Sequence, residues 1–329
     1  MLKKLSVRLK SGTLTEFDSD TTLGIFCWRL KDYLGEEKLK SFIDFYRNNK
    51  PVFTISNALF EINGILFFPQ PVYVPSQEIC SQNKKENISS MLKNKENKSI
   101  NFISLKRFNA FLNGNIEDYL ISDEPIYENE NKKVILTPGF ESELRVSVEI
   151  DRQSAKSKEG QLFSYHLRYL KKGNTLVFLI KVIDEKAFNE FKCQEILKDV
   201  FTVGYGKKKS SGYGQCVVNG NLDDFKDIDE PDNPNGFITL GNYLPAQGDG
   251  VVDGYYDTKV KYGKLGESFS SSKVPFKKPI IMITQGSYFI TSKPNLWYGR
   301  ITGVGEISPL KSEAVQFGMP FTLLFNYSG

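Results

Sequence analysis

Residues 175–183, TLVFLIKVI, form a nearly unbroken apolar run, the pattern of a central strand in a sheet, and the segment that follows it, KAFNEFKCQEILKDV, has helical spacing. A strand of this kind needs neighbours. The N-terminus offers one: Leu5, Val7 and Leu9 alternate with Lys4, Ser6, Arg8 and Lys10, which predicts a half-buried strand with a basic outer face. After a polar loop, Leu23, Phe26, Cys27, Leu30 and Leu34 recur at three- and four-residue steps, with Ser19 and Asp20 as N-cap candidates. Gly35 closes that helix, and Leu39, Phe42, Ile43, Phe45 and Tyr46 predict a second.

Further strands are expected in ELRVSVEIDR, with Leu144, Val146, Val148 and Ile150 on one side, and in QLFSYHLRYL, with Phe163, Tyr165, Leu167 and Tyr169 together. The polar link QSAKSKEG makes them a long hairpin, about 144–170. Between residues 70 and 135 the signal is poor, with prolines at 69, 71 and 75 and a lysine- and asparagine-rich stretch, so we read an insertion. LDDFKDIDEPDNPNG then packs six carboxylates and two prolines together and reads as a linker over 221–235. Short, glycine-punctuated strands follow it. A chain of 329 residues is long enough for two cores, so the expectation is α+β with an N-terminal domain over 1–220 and a C-terminal one over 236–329. Periodicity leaves the strand order open.

Four cysteines without a CxxC pair and one histidine argue against a zinc site. No stretch approaches eighteen consecutive apolar residues, and MLKKLSVRLKSG has no apolar core after its lysines, so a soluble cytoplasmic protein is expected. The net charge of +4 says little about partners, because attraction depends on where the cations cluster.

The densest cluster is VGYGKKKSSGYGQCVV. Gly204, Gly206, Gly212 and Gly214 surround Lys207, Lys208, Lys209, Ser210 and Ser211, so main-chain amides can approach a phosphate while lysines neutralise it and hydroxyls donate. Tyr205 and Tyr213 offer stacking surfaces for unpaired bases. A solvated mobile turn is the bland alternative, and a Walker loop does not fit, because the helix precedes the glycines. Arg152, Lys156 and Lys158 near the hairpin tip form a second basic set, and Lys259, Lys261 and Lys264 a third. His166 is the lone imidazole, open to an acid/base reading or to that of an ordinary strand residue. Asp18 and Asp20 are explained by helix capping.

The run Ser19-Asp20-Thr21-Thr22-Leu23-Gly24, followed by Cys27-Trp28 and Gly35-Glu36, resembles the start of the fourth Csm subunit of type III-A CRISPR effector complexes, a family of RAMP proteins. The run Gly204 to Gly214 is similar to the RAMP glycine-rich loop, and VEIDRQSAKSKEGQLFSYHLRYL to the family's arginine-containing hairpin. KYGKLGES, PFKKPIIMITQGSYF and EAVQFGMPFTLLF extend the likeness over most of the chain.

The resemblance implies two RRM-like (ferredoxin-like) domains, the first carrying the insertion and hairpin. It implies binding of the repeat-derived 5′ tag of CRISPR RNA, contact with the large polymerase-palm subunit and the first backbone RAMP subunit, only indirect contact with target RNA, and no catalytic residue, cofactor or membrane. Carried over, RNA contacts fall on Gly204, Gly206, Lys207, Lys208, Lys209, Ser210, Ser211, Gly212 and Tyr213, and on Arg152, Lys156 and Lys158. Ser19 stays open between a cap and a contact. Leu23 and Trp28 are expected in the core. The runner-up is a metal-independent CRISPR RNA processing endonuclease using His166.

Overall fold

A computed structural model describes residues 1–73, 100–129, 132–150, 153–154, 156–266, 269, 273–308 and 311–327. The chain opens with β1 (Leu2–Leu9), whose Leu5 and Val7 are fully buried while Arg8 is exposed, as the alternation requires. α1 (Ser19–Leu34) buries Leu23, Phe26, Cys27 and Leu30 on one stripe. Gly35, at φ +86°, ends it and starts α2 (Glu36–Arg47); the left-handed backbone there suits glycine. Phe42 and Tyr46 anchor α2, and the Tyr46 hydroxyl donates to the Phe53 carbonyl at 2.6 Å.

β2 (Phe53–Ile55), β3 (Leu59–Ile62), β4 (Ile65–Pro69) and β5 (Phe102–Ser104) follow, then α3 (Leu105–Leu112) and the single turn α4 (Ile116–Tyr119). A small ladder of β6 (Ile126–Asn129) and β7 (Lys132–Leu136) leads to the long hairpin of β8 (Phe140–Ile150) and β9 (Ser157–Leu170). The insertion expected over 70–135 thus contains regular elements, and its residues 74–99, with Cys80, lie outside the described residues. β10 (Asn174–Val182), α5 (Glu185–Glu190), α6 (Cys193–Thr202) and β11 (Cys216–Asp224) complete the first half.

The sheet runs β11-β1-β10-β3-β4-β5 with every pairing antiparallel, and β2 also pairs with β10. Counting β1, β3, β10 and β11 as the four strands of a βαββαβ unit gives the order 4-1-3-2, the ferredoxin-like arrangement. β10 explains its own sequence. Leu176, Phe178 and Ile180 face the core under α1, α2 and α6, whereas Val177 and Leu179 face a second core on the opposite side, so both faces are buried, and buried Lys181 is accommodated by donating to the Thr322 carbonyl at 2.6 Å.

That second core is shared between the halves. Beyond β11 come β12 (Gly236–Thr239), β13 (Val251–Tyr255), β14 (Thr258–Lys261), β15 (Ile280–Ile283), β16 (Tyr288–Thr291), β17 (Arg300–Ile301), β18 (Phe317–Gly318) and β19 (Thr322–Phe325). Four of them form a sheet in the order β13-β16-β12-β19, again 4-1-3-2 when read from β19, yet among the described residues no α-helix follows α6. Where a second βαβ unit would carry helices, the described residues hold loops, the 3-10 turn Gln247–Asp249 and the short β17–β18 ladder. Ile238, Leu240, Phe321 and Leu323 of this half pack with Leu59, Phe68, Phe108, Val177 and Leu179 of the first. The stretch read as a linker is also tied down: β11 runs through Asp224, whose carboxylate meets Lys3 at 2.8 Å, and Phe225 is buried.

Candidate nucleic-acid interface

The glycine-rich loop joins α6 to β11 and is a folded turn. Gly204, Gly206, Lys208, Gly212 and Gly214 all have positive φ, and Lys209–Ser211 make one 3-10 turn. Two glycines are dictated by close approach: a Cβ on Gly206 would lie 2.3 Å from the Thr15 hydroxyl, and one on Gly214 would lie 2.0 Å from the Tyr205 carbonyl. Polar residues 11–15 set the loop's position. The Thr15 hydroxyl accepts from the Lys207 amide at 2.9 Å, the Ser11 hydroxyl from the Gln215 amide at 3.0 Å, and the Gly12 carbonyl from the Gly214 amide at 2.9 Å. Sequence reasoning passed over this clamp as an ordinary polar loop; its hydroxyl- and glycine-rich SGTLT was the available signal.

These bonds narrow one expectation. The amides of Tyr205, Lys207, Ser211, Gly212, Tyr213 and Gly214 donate within the protein, so these six are not available to a phosphate. What it presents outward are side chains: Lys207, Lys208, Ser210 and Ser211 are exposed, and Lys209 and Tyr213 half-buried. Tyr205 is not among them. It is fully buried, stacked on Phe17 at 4.4 Å between ring centroids, with its hydroxyl 3.1 Å from that of Thr22. Burial pushes that phenol far up, so Tyr205 serves the core and stacks no base.

The hairpin leans on the same loop. Alternation along β9 puts Phe163, Tyr165 and Leu167 on one face and Ser164, His166 and Arg168 on the other. On the first face the Lys208 ammonium sits 4.2 Å from the Tyr165 ring centroid and 5.2 Å from that of Phe163, within cation–π range. The Tyr165 and Tyr213 hydroxyls meet at 3.1 Å, and Ser147 donates to Tyr165 at 3.3 Å. Hydrogen bonds from Ser147 and Tyr213, followed by the charge of Lys208, hold the Tyr165 phenol below its ordinary value, while the bond to Tyr165 raises that of Tyr213. Lysines, hydroxyls and aromatic rings thus converge on one surface, although loop and hairpin lie about forty residues apart in the chain.

Of the remaining candidates, Lys156 is exposed near the hairpin tip; Arg152 and the side chain of Lys158 fall outside the described residues. His166 is exposed on the face of β9 turned away from Lys208, opposite Leu144. Ser19 is 2 % exposed: its amide donates to Asn57 and its hydroxyl accepts from the Asn242 amide at 3.0 Å, so both groups are engaged in joining the two halves. Leu23 is buried as expected, whereas Trp28 is half-buried against Phe269.

The third basic set is also corrected. Asp18 occupies the N-cap position of α1 without a side-chain cap bond and instead takes Lys261 at 2.6 Å and Lys259 at 2.9 Å; Lys261 reaches Asp20 at 3.1 Å. Asn242 and Gln316 donate to the two Asp20 oxygens. Burial opposes ionisation of Asp18, but the two ammonium groups outweigh it and keep the carboxyl below its usual range. Lys259 and Lys261 thus seal the junction between halves, and Lys264 lies over Phe276.

No protein-family model matches the sequence, and no curated protein does. Solved structures do. A chain of the Csm3-Csm4 subcomplex in the type III-A CRISPR-Cas interference complex superposes with a TM-score of 0.65 at 17% identity, covering 98% of this chain and 99% of that one. A chain of the Csm1-Csm4 cassette in complex with cA4 gives 0.58 at 15%, covering 99% of each. The fold is Csm4-like. The same cassette in complex with pppApA gives 0.56 at 15%, over 99% of this chain and 100% of that one. The Csm4-like likeness spans both sheets and the hairpin, so the α+β architecture of the two halves is a property of the whole chain. Among the described residues no helix is long and apolar enough to cross a membrane.

Proposed function

We propose that this chain is a non-catalytic subunit of a type III-A CRISPR RNA-guided interference complex that holds the repeat-derived 5′ tag of the CRISPR RNA and anchors the large polymerase-palm subunit and the first backbone RAMP subunit. The observation that carries the reading is the convergence of Lys208 with Tyr165, Phe163 and Tyr213. Phosphates of a single strand meet Lys207, Lys208 and Lys209 and the hydroxyls of Ser210 and Ser211, while unpaired bases stack on rings at about 1–3 kcal/mol each. The full-length likeness to Csm3-Csm4 and Csm1-Csm4 chains supports the place in a complex. His166, turned to the other face, takes no part, and target RNA is reached only through the guide.

Affinity of the full chain for a tag-bearing single-stranded RNA tests this, measured across salt. Log K is expected to fall with log salt by about 0.7 per phosphate contacted. Replacing Lys207, Lys208 and Lys209 together by Ala weakens binding and flattens that slope; unchanged affinity overturns the assignment. Cleavage of repeat RNA by the wild type, lost on His166→Ala, would establish the nuclease instead.

A further inference from the structure

One cavity of about 380 Å³ lies outside the loop-and-hairpin surface, lined by Arg8, Leu9 and residues 170–175. Its charge is one-sided. The Arg8 guanidinium has no hydrogen bond or ion pair among the described residues, and it is exposed on the sheet face opposite α1 and α2. Among the described residues Lys171 donates only to the neutral Thr137 hydroxyl at 3.0 Å and meets no carboxylate, whereas Lys172 is engaged by Glu128. The Thr175 hydroxyl also has no partner among the described residues. Glu61 stands across the ladder from Thr175, but Lys4 neutralises it at 2.6 Å. Asn174 is occupied in holding the turn through Gly139, Thr137 and Lys172. An open hollow with a spare hydroxyl and two cations that meet no carboxylate among the described residues suits one ligand chemistry, a phosphate.

Its position says which phosphate. β1 and β11 pair Leu9 with Cys216 and Arg8 with Val217, and the Lys10 amide donates to the Gln215 carbonyl at 2.7 Å. Arg8 therefore stands two or three residues, roughly 10 Å along the strand, from the base of the glycine-rich loop, with exposed Lys10 between them. The second half covers Val177 and Leu179 of β10 but leaves this end of the sheet bare.

We infer that Arg8, Lys171 and the Thr175 hydroxyl form a second phosphate subsite, which receives the same RNA strand after it leaves the glycine-rich loop. The inference rests on the function proposed above and extends the RNA path across the open end of the first sheet.

The test compares full-length protein, Arg8→Ala with Lys171→Ala, and the triple lysine variant on a set of single-stranded RNAs shortened stepwise from either end. On the longest RNA the Arg8/Lys171 variant is expected to bind about fivefold more weakly, with the salt slope reduced by about 0.7 to 1.4. On RNAs too short to leave the loop its deficit disappears while that of the triple variant persists. If the triple variant binds weakly and the Arg8/Lys171 variant binds like wild type at every length, the subsite is refuted and the loop reading stands. If neither variant differs from wild type, both fall. Arg8→Lys is expected to restore most of the salt slope, which loss of a merely structural side chain would not show.

Discussion

The two halves of the molecule carry the same 4-1-3-2 strand order and cover it by different means. The first sheet has α1, α2 and α6 on one face; among the described residues the second has loops and the short β17–β18 ladder where those helices would be. A sheet needs an apolar cover on its buried face, and the second takes much of its cover from the first, through Ile238, Leu240, Phe321 and Leu323 against Leu59, Val177 and Leu179. The contrast teaches that strand order survives without the helices when another sheet supplies the missing layer. It also means that the halves are two folding motifs joined through a shared core, the one beneath Val177 and Leu179.

The strongest way to break this comparison is to separate the halves. Residues 1–230 expressed alone are expected to lack a cooperative thermal transition, because fully buried Leu59, Val177 and Leu179 lose cover from the second half, each worth about 1.5–3 kcal/mol of burial. A sharp transition near that of the whole chain would show two independent domains. In the intact protein, Phe321→Ala is expected to cost about 3–5 kcal/mol and to lower one shared transition in calorimetry. Two separated transitions would contradict the shared core.

A smaller effect belongs to the polar seam. Asp18→Asn is expected to cost about 1–3 kcal/mol, since Lys259 and Lys261 are partly solvated and recover water. The pH dependence has a fixed sign. The Asp18 carboxyl is depressed in the folded state, so its stabilisation is complete above the unfolded value of about 4 and is lost as pH falls through the lower folded value. Acid titration of unfolding should therefore be shallower in the Asn variant; equal slopes would remove Asp18 from the account.

Similar in stability to the seam variant and sharpest in function is Gly214→Ala. A Cβ 2.0 Å from the Tyr205 carbonyl at φ +67° must displace the turn, at about 1–3 kcal/mol, and move Lys208 off Tyr165. Gly212→Ala, also at positive φ but with open space around its Cβ, should cost less. RNA affinity is expected to follow the same ranking.

How much of this was legible depended on range. β1, α1, α2 and β10 announce themselves because their periodicity is local, and the glycine-rich loop does so by composition. Tyr205 and Tyr213 sit in the same Gly-Tyr-Gly context, yet one is core and the other surface; Phe17, almost 190 residues away, decides that, and no local rule contains it. Lys259 and Lys261 read as a basic face because their acidic partners lie some 240 residues earlier. The acidic stretch after Cys216 read as linker, although Asp223 and Asp224 are strand residues opposite Lys4 and Lys3 on β1. Carboxylates facing lysines across a ladder have the same composition as carboxylates facing water.

The central claim is that loop and hairpin form one RNA-facing surface, and photo-crosslinking followed by peptide mapping, on the full chain bound to a tag-bearing single-stranded RNA, tests it most directly. Crosslinks are expected in both 204–214 and 162–170, with Tyr165 and Tyr213 joined to bases of the same strand. Crosslinks confined to other surfaces, with both segments silent, would contradict it.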